Sequence, residues 1–136
     1  MTLYLLDTNI LSNVMRDPRG GCATRIGLTP PEHLCTSIVV AAELRFGVLK
    51  RGSSMLAQRV EQLLASLPVL PLQADADRCY GRLRAELEKQ GQLIGANDML
   101  IAAHALAVEA VLVTDNTAEF VRVAGLRVEN WLRPTT

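Results

Sequence analysis

The sequence predicts an α/β domain built on a parallel sheet that helices cover on both faces. Three observations predict it. Short apolar runs alternate with segments of helical length and pattern. The runs are continuous rather than alternating apolar and polar, as strands buried on both faces are. No repeat, low-complexity tract or linker divides the 136 residues, so a single domain is expected over 1–136.

The elements follow in order. Leu3-Tyr4-Leu5-Leu6 reads as a buried strand, and Asp7 then caps a helix over Ile10 to Met15. His33 to Thr36 reads as a second strand, with Ser37 capping a helix over Ile38 to Lys50 that Arg51-Gly52 closes. Ser53 or Ser54 caps the next helix, Met55 to Ala65, and Pro68-Val69-Leu70-Pro71 is a short edge-like strand where prolines are tolerated. Asp75 caps a helix with Cys79, Leu83 and Leu87 on its apolar side, and Gly91 ends it. Asn97 precedes the most apolar helix, Asp98 to Ala107. Ala110 to Thr114 is a β-branched strand, and Leu126 to Glu129 a last one. In such sheets, sites form beyond the carboxyl ends of the strands, so the residues just after strands are where chemistry is sought.

Composition narrows the function. Apolar residues make up 49% and charged residues 21%, an ordinary globular balance. Aromatics at 4% are too few for rows of base-stacking side chains. Fourteen basic against fourteen acidic residues exclude nucleic-acid binding by bulk attraction, although a local basic rim remains open. Cys22, Cys35 and Cys79 fit no zinc pattern and no CxxC pair, and read as reduced thiols, two of them in the core. Leu3 to Leu6 is too short for a signal sequence, and Met99 to Val113 falls short of a membrane span, so a cytoplasmic domain without membrane contact is expected.

Four acids stand at element ends or in apolar surroundings: Asp7, Glu43, Asp98 and Asp115. A helix cap or turn is the plainer role for Asp7 and Asp115 taken singly. Glu43 is more telling, because Val39, Val40, Phe46 and Gly47 around it offer no solvated helix face. Asp98 opens an apolar helix for which Asn97 is already a good cap. If the four converge, they repel one another and a cation must compensate or some must stay protonated. Mg²⁺ or Mn²⁺ suits oxygen ligands of this kind and supports phosphodiester hydrolysis without a catalytic histidine. Spacing alone does not show that they converge.

Leu5-Leu6-Asp7-Thr8-Asn9-Ile10-Leu11, Ala42-Glu43-Leu44 with Gly47, and Ile94-Gly95-Ala96-Asn97-Asp98-Met99-Leu100-Ile101-Ala102-Ala103-His104-Ala105 resemble the PIN domain, and more narrowly the VapC toxins of bacterial toxin–antitoxin pairs. The tail from Leu112-Val113-Thr114-Asp115-Asn116 through Glu119-Phe120 to Trp131 is similar to the same family. The resemblance implies a three-layer α/β/α fold around a central parallel sheet of four to five strands, and a Mg²⁺- or Mn²⁺-dependent endoribonuclease. On it, Asp7, Glu43 and Asp98 match the three principal acids. Many relatives carry an acid or asparagine two residues after the threonine, here Asn116, whereas Asp115 lies one after it. Asp115 is taken to bring charge to the metal and Asn116 to orient it, with Thr114 behind them, and the reverse assignment stays open.

The resemblance further implies that Asp7 and Asp98 bind the ion and that Glu43 positions or deprotonates the attacking water. The products would be a 3′-hydroxyl and a 5′-phosphate, and initiator tRNA, cut in its anticodon loop, is the substrate it suggests. It also implies a homodimer silenced by a cognate VapB-type antitoxin, through which alone promoter DNA is bound, and a groove for that antitoxin beside the Glu43 helix and the Met55 to Ala65 helix. Arg16, Arg19, Arg45, Lys50 and Arg51 are candidate phosphate contacts or plain solvated charge. His104 reads as a packing or hydrogen-bonding residue and Trp131 as an anchor of the tail. Two rivals remain: a silent PIN module that only binds a partner, and an aspartate-nucleophile phosphatase. The phosphatase needs a second acid where Asn9 stands.

Overall fold

The computed structural model describes residues 1–133. Its centre is a five-stranded, wholly parallel sheet in the order β3-β2-β1-β4-β5. The strands are β1 (Tyr4–Leu6), β2 (Leu34–Ser37), β3 (Val69–Leu70), β4 (Val111–Val113) and β5 (Val128–Glu129). Around it lie α1 (Thr8–Arg16), α2 (Gly21–Leu28), α3 (Ile38–Arg51), α4 (Ser54–Ala65), α5 (Ala76–Lys89), α6 (Ala96–Ala107) and α7 (Thr117–Phe120). The arrangement is three-layered, α/β/α. Leu5, Leu6, Cys35 and the whole of β4 are buried, as continuous apolar runs between two helical layers must be. The prolines flanking β3 fall on a sheet edge, where a missing N–H costs no ladder bond. Among the described residues no helix is long and apolar enough to cross a membrane.

Local chemistry explains most boundaries. Ser37 accepts from the Val39 N–H at 3.1 Å, and Gly52 ends α3 at φ 65°, a left-handed conformation that suits glycine. Ser53, not Ser54, caps α4, accepting from Leu56 N at 3.1 Å. Three readings need correction. Asp75 stands at the start of α5 in the left-handed region (φ 81°), so its side chain makes no cap bond. Gly95 occupies the cap position of α6, which leaves Asn97 inside the first turn and free to reach across the molecule. Two helices, α2 and α7, escape the sequence reading. The first begins at Gly21 after a Gly20 cap and buries only Cys22, and the second is four residues long, so neither carries a readable apolar period.

Candidate active site

The sheet order changes direction at β1, whose neighbours are β2 and β4, and the carboxyl ends of these strands frame one crevice. Asp7 leaves β1 there, 4% exposed, with its N–H held by the Val113 carbonyl at 2.9 Å. Its Oδ1 caps α1 by accepting from Thr8 N at 2.8 Å, so the cap role is real. Its Oδ2 accepts from the Thr114 hydroxyl at 2.7 Å. That hydroxyl in turn accepts from Asn116 N at 3.0 Å and Asn9 Nδ2 at 3.3 Å, so its two acceptor positions are filled and its one proton is held on Asp7. Asn9 closes the loop by accepting from Asp115 N at 3.0 Å.

Glu43 comes in from α3. The Thr8 hydroxyl donates to its Oε1 at 2.6 Å and the Asn97 amide to its Oε2 at 3.4 Å, which explains an acid on an otherwise apolar helix. Asp98 stands on the first turn of α6. Burial, then the charges of Asp7, Glu119 and Glu43, push its carboxyl up to about 6, the nearby Glu119 carboxyl adding to the rise. Asp7 is also raised, mainly by burial, against the opposing bonds from Thr114 and Thr8. The ion pairs of the described residues, Arg25–Glu129, Arg45–Glu61 and Arg133–Asp115, leave these four acids uncompensated.

The structure therefore brings Asp7, Glu43 and Asp98 together, and adds Glu119, to which sequence reasoning gave no role. Asp115 faces elsewhere: its carboxylate accepts from Asn130 Nδ2 at 3.0 Å and Arg133 Nε at 2.9 Å, and these bonds hold it below the usual carboxylate range. Asn116 sits behind the cluster, donating its amide to Glu119 Oε2 at 3.0 Å. The signal for Glu119 was its place beside the buried Phe120, but a four-residue helix gave no period from which to read its direction. His104 is buried with Nδ1 2.7 Å from the Ser37 hydroxyl and takes no part in the cluster.

An all-oxygen donor set with no cation beside it fits a hard divalent ion. Among the described residues, no three of these acids stand close enough to enclose one ion by themselves. A hard ion at this site would therefore rest on one or two carboxylates, with water filling its other positions.

The sequence matches the PIN domain over residues 4–126. Ribonuclease VapC2 of Rickettsia felis is 37% identical over 131 residues, covering 95% of this chain and 98% of that protein. The tRNA(fMet)-specific endonuclease VapC of Shigella flexneri is 36% identical over 135 residues, covering 96% and 99%. Among solved structures, VapBC2 from Rickettsia felis bound to a promoter DNA fragment aligns with a TM-score of 0.87 at 36% identity, covering 96% of this chain and 99% of that one. With a fold, a crevice and a full-length likeness all in agreement, the chain belongs to the PIN-domain family and, within it, to the VapC proteins of toxin–antitoxin pairs.

Proposed function

We propose that the protein is a Mg²⁺- or Mn²⁺-dependent endoribonuclease toxin that cuts tRNA, inhibits translation and is held silent by a VapB-type antitoxin. One observation carries the reading: Asp7, Glu43 and Glu119 bear on Asp98 at the sheet's switch point without a compensating cation. Asp7 and Asp98 would hold the ion, which when bound supplies positive charge for phosphoryl oxygens and acidifies water. Glu43, held by Thr8 and Asn97, would take the proton of the attacking water. Thr114 fixes the orientation of Asp7, and Glu119 sets the charge around Asp98. No histidine lies in the cluster, which favours water over the ribose 2′-hydroxyl as nucleophile and hence a 3′-hydroxyl and a 5′-phosphate.

The partner reading draws on two supports. Solved relatives are VapBC complexes, two of them bound to DNA. On this chain Phe46, Leu49 and Met55 are 66%, 81% and 62% exposed along α3 and the start of α4, an apolar face suited to an antitoxin helix. Promoter DNA is then reached through the antitoxin, because this chain has neither net positive charge nor a recognition helix. A homodimer and a cytoplasmic location complete the proposal.

The test is cleavage of initiator tRNA by antitoxin-free protein with Mg²⁺ or Mn²⁺, with EDTA, and by Asp98→Asn. A discrete cut that needs the ion and is lost in the variant supports the proposal. A cut that survives both removes the acid cluster from the mechanism. Metal binding and all RNA cleavage both absent would favour the silent module.

A further inference from the structure

A groove runs away from the acids between α1, α3 and α4. Its near part, a cavity of about 250 Å³, begins at Thr8 and Glu43 and carries Arg16, Arg51 and Arg59 along a mainly apolar lining of Met15, Leu44, Leu56 and Val60. It continues past Arg16 and Arg59 into a second hollow of about 450 Å³. Glu43, at the catalytic end, is the one acid along both parts. All three arginines are exposed, and none joins the ion pairs of the described residues. Arg16 and Arg51 each end a helix, where the macrodipole favours a cation, but that accounts for neither Arg59 nor the convergence of the three. Arg16 lies eight residues beyond Thr8 and Arg51 eight beyond Glu43, so both stand roughly 12 Å from the acids at about 1.5 Å per residue.

Resting on the ribonuclease reading, we propose that Arg16, Arg51 and Arg59 form a track that holds the backbone phosphates of the RNA to one side of the scissile bond. A row of guanidinium groups with no carboxylate beyond Glu43 at its catalytic end suits a polyanion, and planar guanidinium pairs with phosphate through two bonds. It explains how a chain of zero net charge grips RNA. The earlier candidates divide accordingly: Arg45 is taken up by Glu61, and Arg19 and Lys50 line no part of the groove. Phe46 and Leu49 lie on another face of α3. At about 100° per residue, Leu49 is roughly 120° from Glu43 in the direction away from Leu44 and Arg51. On α3 the track and the apolar residues thus lie on different faces of the helix.

The experiment compares wild type with Arg16→Gln/Arg51→Gln/Arg59→Gln, and with Arg82→Gln/Arg122→Gln as control. The control arginines line a cavity between α5 and residues 122–125 that also contains Glu86. Binding of a fluorescent anticodon stem–loop of initiator tRNA is followed in EDTA against salt, and cleavage is followed with Mg²⁺. The triple variant should bind at least about tenfold more weakly, lose about 2 from its log–log salt slope at about 0.7 per phosphate, and show raised KM with kcat nearly unchanged. The control should match wild type, and thermal melts should show all three proteins folded. A triple variant with wild-type affinity and slope overturns the proposal. So does one that keeps RNA binding but loses its antitoxin, since the groove then serves a protein. Wild-type protein that cuts no RNA removes the nuclease reading, and the track with it.

Discussion

The carboxyl of Asp98 is the residue whose behaviour is most exposed to measurement. Raised from 3.8 to about 6, it binds its proton more tightly folded than unfolded. The folded state therefore loses stability as pH rises from about 4 to about 6, and the loss persists above that window. In EDTA, Asp98→Asn should abolish this part of the pH dependence, as read by thermal melts. His104 has the opposite sign. Burial lowers it from its ordinary 6.5, so its stabilisation is present above 6.5 and is lost as pH falls towards its folded value. The variant should accordingly reveal a fall in melting temperature below pH 6.5 that Asp98 partly masks in wild type. Two acids of the tail separate by activity: Glu119→Gln should lower cleavage about tenfold or more, as should Thr114→Val, whereas Asp115→Asn should stay near wild type. Parallel cleavage assays with Mg²⁺ decide this. The three principal acids stood out in the sequence because each broke a local apolar pattern. Glu119 did not stand out, since its role depends on α7 docking beside α6, which no spacing records.

At the scale of elements, α3 is the piece on which the site turns. Its start is fixed by Ser37, whose hydroxyl caps Val39 and meets His104 of α6. Ser37→Ala should lower stability by about 1–2 kcal/mol in denaturant titrations, through the lost cap and the stranded imidazole. Midway along α3, Gly47 lines the groove, and a methyl group there meets nothing within 4 Å. Gly47→Ala should stabilise the protein by roughly 0.5–1 kcal/mol with cleavage retained. Gly47→Leu should instead raise KM by filling the groove floor. The strands and long helices were legible because burial writes continuous or periodic apolar residues into them. Asn97 was misread as a cap because cap preference is local, whereas its amide answers to Glu43, 54 residues away.

For the whole molecule, the parallel sheet and the acids at the strands' carboxyl ends were legible in the sequence, the strand order was not, and the neutral charge left room only for a local basic rim. The thiols follow the same division between core and surface. Cys35 is pushed up to about 12 and Cys22 is also raised, both mainly by burial, while Cys79 is half-buried. A thiol reagent should therefore find one reactive cysteine in the native protein and three in denaturant.

The bond from Thr114 to Asp7 joins residues 107 positions apart. A chain still emerging from the ribosome presents Asp7 and Glu43 long before it presents Thr114 and Glu119. Until β4 slots beside β1, Asp7 has no hydroxyl to aim it and Asp98 no neighbour on α7. The aim of Asp7 and the charge around Asp98 thus depend on β4 and α7 being in place, so the site cannot be set up by local folding around its own acids.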